Sequence, residues 1–258
     1  MRAAACCSDQ SMFKPCVVIP VYNHGEAVGG VVENVLAQNL PCILVDDGSE
    51  TKCAQELARL AATAPEQITL LRHPANLGKG SAVLTGARRA GEAGYSHAVQ
   101  IDADGQHRAA DIPRFLAQAA ARPQSLIIGC PEYDLSAPAL RLWARSLTHL
   151  WVSINTLSRR IQDSMCGFRV YPLAQLLDLD RRRKLGARMD FDIEVAVRLY
   201  WMGTEIINVP TLVVYPTNAV SHFRPWSDTL LISQAHAILF FGMLLHLPNL
   251  LARRWSAS

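Results

Sequence analysis

The chain has 258 residues, of which 50% are apolar and 18% charged, with a formal net charge of +3. That is ample for the core of one large α/β domain or two small ones, so folding needs no covalent staples. The charge is too small to argue for nucleic acid as a partner. Seven cysteines lie scattered without a CxxC pair, several of them inside apolar runs, which favours a reducing compartment.

Residues 1–14 hold no apolar run long enough for a signal peptide and read as a disordered lead, ahead of a main domain over 15–227 and an apolar C-terminal segment over 228–258. From there apolar runs alternate with helical patterns, as expected of an α/β fold with a mostly parallel sheet and helices on both faces. CVVIPVYN (16–23) is a buried strand, followed by a helix whose apolar face carries Val28, Val31, Val32, Val35 and Leu36. CILV (42–45) is a second strand ending in DDGS, and Ser49 is placed to N-cap the helix after it. ITLLR (68–72) is a third strand, and NLGKG (76–80) opens the next helix. HAVQI (97–101) is a fourth strand that runs into DADGQH, a helix near IPRFLAQAAA and the strand SLIIG.

Three polar motifs thus fall at the carboxyl ends of successive strands, where open α/β sheets bind ligands. In DDGS, Asp46 and Asp47 can accept hydrogen bonds from ribose hydroxyls or a base N–H, although a surface turn has the same composition. NLGKG offers glycine backbone and Lys79 near a helix start, a combination suited to an anion. DADGQH goes further. Carboxylates at i and i+2 of a strand exit face the same way and repel until one takes a proton. A divalent cation removes that cost. Hard oxygen ligands suit Mg²⁺ or Mn²⁺, which need only one or two protein carboxylates when water and substrate phosphates complete the shell. An acidic helix-capping turn is the plainer alternative.

Together PVYN (20–23), DDGS (46–49), NLGKGSA (76–82), DADGQH (102–107) and CGFR (166–169) resemble family 2 glycosyltransferases of the GT-A fold. The likeness is greatest to the dolichol-phosphate mannosyltransferase and polyprenyl-phosphate glycosyltransferase branch, and it covers roughly residues 15–226. It implies a UDP- or GDP-sugar donor, Mg²⁺ or Mn²⁺, inverting transfer and a lipid-phosphate acceptor. It further implies that Pro20, Tyr22, Asn23 and Asp47 line the nucleoside pocket with Asp46 beside them. Asp102, Asp104 and Gln106 would form the metal and diphosphate site, Asp104 being the direct ligand. His24 stands where the family often has an acid, and Arg108 where it often has a proline.

The second half reads as the acceptor side. APALRLWARSLTHLWVSINTLSRR is a long helix with Arg141 and Arg145 one turn apart, suited to a phosphate or equally to a solvated basic face. In IQDSMCGFRVY the resemblance puts the loop carrying Asp163 at the reacting centre and Arg169 on a phosphate. MDFDIEVAVRLYWMG is a helix bearing Asp192 and Glu194, with Glu194 a candidate for catalysis or for positioning the helix and its loop. Transfer to a hydroxyl needs a general base, whereas a lipid phosphate is already anionic. No QxxRW-like stretch of processive synthases is found. His222 and Arg224, in VSHFRPWSD, fall where related enzymes close over the donor phosphates.

Between Thr229 and Ala252 there is no acidic or basic residue apart from His236 and His246. Such a segment can span a bilayer, lie at its interface, or pack on the domain or on a second subunit. The expected protein is therefore a transferase on the cytoplasmic face of the cell membrane, held peripherally or by one C-terminal helix. Nucleic acid is not an expected partner, and a homo-oligomer is compatible with the chain. Two competitors are an enzyme of this fold acting on a lipid hydroxyl or other envelope-glycolipid acceptor, and a non-catalytic sugar-nucleotide-binding scaffold.

Overall fold

A computed structural model describes residues 13–133, 139–213 and 224–255. Layering is set by the first strand, β1 (Pro15–Val21), in which Val17, Ile19 and Val21 alternate with Cys16 and Val18, none more than 1% exposed. A strand apolar on both faces demands cover on both. Six more strands complete the sheet: β2 (Cys42–Asp46), β3 (Ile68–Arg72), β4 (His97–Gln100), β5 (Leu126–Tyr133), β6 (Arg169–Pro172) and β7 (Ile206–Val213), in the order β3-β2-β1-β4-β6-β5-β7.

Helices α1 (Gly25–Leu36), α2 (Thr51–Thr63) and α4 (Ile112–Ala121) bring Val28, Leu57 and Phe115 onto the Val17 face. On the other face α3 (Lys79–Glu92), α6 (Leu173–Arg182) and α7 (Phe191–Met202) bring Val83, Leu176 and Ile193 onto Val18. Two long helices, α5 (Ala139–Thr156) and α8 (Pro225–Trp255), pack on each other and on α7.

The sheet is parallel except at β6, which runs antiparallel to both β4 and β5. The segment read from sequence as a loop therefore enters the middle of the sheet. Its register sets Gln100 opposite Arg169. Because β6 is reversed, the 163–168 segment that feeds it arrives at the carboxyl ends of β1, β2 and β4.

The DDGS turn departs from expectation too. Ser49 does not cap α2, whose N-cap is Glu50 without a side-chain bond. Instead the Ser49 N–H donates to Asp46 Oδ1 at 2.8 Å and its hydroxyl accepts from the Asn23 N–H at 3.0 Å. Asn23, in the left-handed region at φ 55°, accepts the Glu50 N–H at 2.8 Å and ties the β1 exit to the β2 exit.

Candidate active site

Asp102 and Asp104 follow β4 directly, and their surroundings differ sharply. Lys79 Nζ lies 2.8 and 2.9 Å from the two oxygens of Asp102 and 3.0 Å from Asp192 Oδ2. Burial pushes the Asp102 carboxyl up, but Lys79 outweighs it and holds the carboxyl below its usual range. Burial likewise disfavours a charged Lys79, yet the flanking carboxylates hold the ammonium above its ordinary value. Asp104 goes the other way: burial, and then the charge of Asp102, push it up. Among the described residues its hydrogen-bond partner is the Gln106 N–H, 3.0 Å from Oδ1. Two adjacent carboxylates share one ammonium, and Asp104 is left with the uncompensated charge.

That deficit is the test of a metal. The donor set is hard oxygen, no Lys, Arg or His among the described residues lies within ion-pair distance of the half-buried Asp104, and Mg²⁺ or Mn²⁺ needs no more than two protein carboxylates. Among the described residues no group of three or more His, Cys, Asp and Glu forms a ready-made cage. The residues thus fit an ion that completes its shell with water and substrate phosphate.

Lys79 was expected to face an anionic ligand; instead it is the internal cation of a buried network. Asp192 Oδ1 accepts from Gln100 Nε2 at 3.2 Å, and Gln100 Oε1 accepts from the Tyr171 hydroxyl at 3.0 Å. The CGFR glycine makes room for the cluster. A Cβ on Gly167 would lie 2.3 Å from Asp102 Oδ2 and 2.6 Å from Lys79 Nζ. The NLGKG glycines seat the start of α3 on the segment before α7. At Gly78, φ +105°, a Cβ would sit 2.3 Å from the Ala187 carbonyl oxygen, and at Gly80 2.5 Å from that of Gly186.

The donor side is organised by the acid pair. Asp47 Oδ1 accepts from His73 Nδ1 at 2.8 Å and from the Leu77 N–H at 2.9 Å, while Oδ2 accepts the Gly78 N–H at 2.8 Å. Asp46 Oδ2 lies 3.4 Å from Arg72 Nε. Both aspartates are buried, and Asp47 shapes the NLGKG turn through the Leu77 and Gly78 N–H groups. Pro20 is buried at the end of β1, and Tyr22 beside it is half-buried.

On the acceptor side, Arg169 requires a correction. It is 0% exposed, and its guanidinium donates to the carbonyls of Cys166 (2.7 Å), Asp192 (2.6 Å) and Ser164 (2.7 Å). A group so enclosed does not reach a phosphate; it folds the 163–168 loop onto α7. Asp163 is engaged as well. Its Oδ1 accepts the N–H groups of Met165 and Cys166, each at 2.8 Å, and its Oδ2 accepts Arg145 Nε at 2.7 Å. Glu194 accepts the Gly186 N–H at 2.7 Å and Arg198 Nε at 2.6 Å, which assigns it to positioning. Arg145 lines a cleft of about 250 Å³ with Ser146, His149 and Gln162. Arg224 is exposed at the start of α8. The side chain of Arg141 and all of His222 lie outside the described residues.

Asp163 carries a pH prediction. Burial pushes its carboxyl up, but His149 and Arg145 outweigh it and hold it at about 2, against 3.8 for an ordinary aspartate. Its contribution is therefore complete above pH ~4 and lost as pH falls through ~2, on the order of 2 kcal/mol. Urea unfolding between pH ~5 and ~2 should show a decline that is shallower in Asp163→Asn. An identical decline in both proteins would refute the assignment.

Four contributors were not singled out from sequence: Gln100, Tyr171, Gly167 and His73. Gln100, a polar residue inside the apolar run HAVQI, is the one that carried a readable signal, since a buried amide needs a partner.

The chain is 28% identical over 201 residues to the polyprenol monophosphomannose synthase of Mycolicibacterium smegmatis, covering 75% of each chain. It is 28% identical over 206 residues to the undecaprenyl-phosphate mannosyltransferase of Micrococcus luteus, covering 75% of this chain and 80% of that one. The glucosyl-3-phosphoglycerate synthase of Mycobacterium tuberculosis, solved with Mn²⁺, UDP and glucosyl-3-phosphoglycerate, superposes with a TM-score of 0.67 at 13% identity, over 89% of this chain and 79% of that chain. That likeness establishes a shared fold. The glycosyl transferase family 2 model matches residues 16–176, more than half of the chain, so the protein belongs to that family and is a glycosyltransferase.

Proposed function

We propose that the protein moves a sugar, with inversion, from a UDP- or GDP-sugar to a polyprenyl phosphate on the cytoplasmic face of a membrane. The observation that carries this is the unequal pair at the end of β4, with Asp102 neutralised by Lys79 and Asp104 left without a cation. The names of the two relatives, both acting on polyprenyl-type phosphates, favour the lipid acceptor. The free cysteines at 16, 42, 53, 130 and 166 are in keeping with a reducing compartment.

In this reading the donor's nucleoside lies against Pro20, Tyr22 and Asn23, in a pocket whose wall Asp46 and Asp47 hold in shape. The donor diphosphate reaches Asp104. A Mg²⁺ or Mn²⁺ held by Asp104, with Asp102 and Gln106 beside it, would supply charge neutralisation for the departing nucleoside diphosphate. Arg145, with Arg141 on the same helix, orients the acceptor phosphate, and His222 and Arg224 flank the donor phosphates. An acceptor oxygen then attacks the anomeric carbon from the face opposite the leaving group. It needs no general base, because a phosphate monoester is already anionic. The protein's own groups agree: Asp163, Asp192 and Glu194 are all bound to internal donors.

One observation favours a second reading. Among the described residues His107 Nδ1 is buried without a hydrogen-bond partner, and burial holds the ring below its ordinary pKa. A neutral imidazole there would serve a hydroxyl acceptor. The decisive assay incubates the full chain with Mn²⁺ or Mg²⁺, a panel of UDP- and GDP-sugars, and matched short-chain polyprenyl phosphate and polyprenol. Metal-dependent product on the phosphate alone is expected. Product on the alcohol alone would install the second reading, and donor binding by calorimetry without any product would overturn both.

A further inference from the structure

The apolar C-terminal segment can now be placed. Residues of α8 turn inward at Asp228, Ala235, Leu239, Met243 and Leu250, the spacing of one helix face, and that face packs on α5 and α7. The C-terminal end is tied to α7, where Arg253 donates to the carbonyls of Tyr200 (2.6 Å) and Trp201 (3.2 Å); at the other end Asp228 caps its own helix by accepting the Arg224 N–H at 2.7 Å. In between, Trp201 stacks on His246 at 4.8 Å.

The opposite face is apolar and open. Trp226 is 92% exposed, Phe241 67% and Leu245 81%. Leu147, Leu150 and Trp151 of α5 are exposed as well, on a helix that packs against α8. The stretch Trp226–Arg253 has the length of a membrane span, and an 18-residue window within it reaches a mean hydropathy of 1.8 with 22% of its residues buried. Yet Ala235, Leu239, Met243 and Leu250 are buried where this helix packs on α5 and α7, and a crossing would have to strip that face from the domain. Crossing with that packing intact would carry α7, with its Arg198–Glu194 pair, toward the hydrocarbon, where buried charge is costly.

Charge identifies what covers this face. Helix α5 has no acidic residue, and the single acid of α8, Asp228, is 4% exposed. The basic residues Arg159 and Arg160, which follow α5, are exposed. An apolar face with inward acid and outward arginines complements anionic headgroups over acyl chains. We propose that α5 and α8 form a docking face on which the protein lies in the plane of an anionic bilayer, crossing nothing. This rests on the lipid-acceptor reading for preferring a bilayer to a second copy of the chain. It also places the cleft of Arg145 and His149 on a membrane-lying helix, so that the headgroup of a polyprenyl phosphate reaches it while the tail stays in lipid.

The test uses the full chain and vesicles of phosphatidylcholine with and without phosphatidylglycerol. Co-sedimentation with anionic vesicles is expected, weakened about tenfold or more in Phe241→Glu and Leu245→Glu, whose exposed positions spare the fold. Alkaline carbonate should release the bound protein. Carbonate-resistant protein that still binds as Phe241→Glu would mean a spanning helix. Failure to bind vesicles, with a solution dimer that Phe241→Glu dissociates, would assign the face to a second copy. Either result overturns the proposal. Turnover on a short-chain, water-soluble polyprenyl phosphate separates this from the function: Phe241→Glu should retain it. Vesicle binding without glycolipid from any donor would leave the docking face standing and remove the lipid-acceptor reading.

Discussion

Asp104→Asn should fold normally and transfer sugar about 10³-fold more slowly than the native protein. In the proposed function the rate loss follows from deleting the charge that would meet the metal and donor diphosphate, a term of several kcal/mol. The folding half of the prediction comes from the same carboxylate. Burial and the neighbouring Asp102 already disfavour the ionised form of Asp104. Asparagine removes that cost, and its Oδ1 still accepts the Gln106 N–H seen at 3.0 Å. Without divalent ions the variant should therefore melt at the native temperature or a little above. Mn²⁺ should raise the melting temperature of the native protein and leave the variant unmoved, because ligand linkage needs the ligand site. A variant with more than a tenth of native activity, or with an undiminished Mn²⁺ response, would remove Asp104 from its role.

The second large effect is opposite in kind. Arg169→Met should lose about 3–5 kcal/mol of folding stability, the cost of breaking a buried charge network by removing one partner. Three buried carbonyls, of Ser164, Cys166 and Asp192, lose their donor together. The cluster of Lys79, Asp102 and Asp192 also loses positive charge next to it, as Arg169 Nη1 lies 3.9 Å from Asp192 Oδ1. Lysine is no substitute, since a single ammonium cannot reproduce the planar fork that meets three acceptors. Urea unfolding of native and variant protein measures this directly. Native-like stability combined with a selective rise in KM for the acceptor would return Arg169 to a phosphate.

The contrast between these residues explains what sequence can carry. β3 was read at Ile68–Arg72 and is found there, and β2 at 42–45 is found one residue longer, because an apolar run between turn residues is a local signal. The motifs at the strand ends were legible for the same reason. β6 was not, being only Arg169–Pro172 with a charged residue in first place. Charge in sequence reads as exposure, and the carbonyl from α7 that satisfies Arg169 is 23 residues away. The surroundings of Lys79 are equally non-local. Its place at a helix start is local, whereas its partners Asp102 and Asp192 come from two distant elements. The apolar character of α8 was plain, but which of its faces met protein depended on α5 and α7.

The glycines that seat α3 bear on how the enzyme can be remodelled. With the carbonyls of Ala187 and Gly186 only 2.3 and 2.5 Å from where a side chain would begin, a methyl at Gly78 or Gly80 must push α3 off α7. That shift parts Lys79 from Asp192 before any ligand is involved. Directed evolution of donor choice thus starts with both positions closed to variation. Diversity is better introduced at Tyr22, which is half-buried, and at Leu77, which is 46% exposed, where a new side chain displaces no backbone of the catalytic frame.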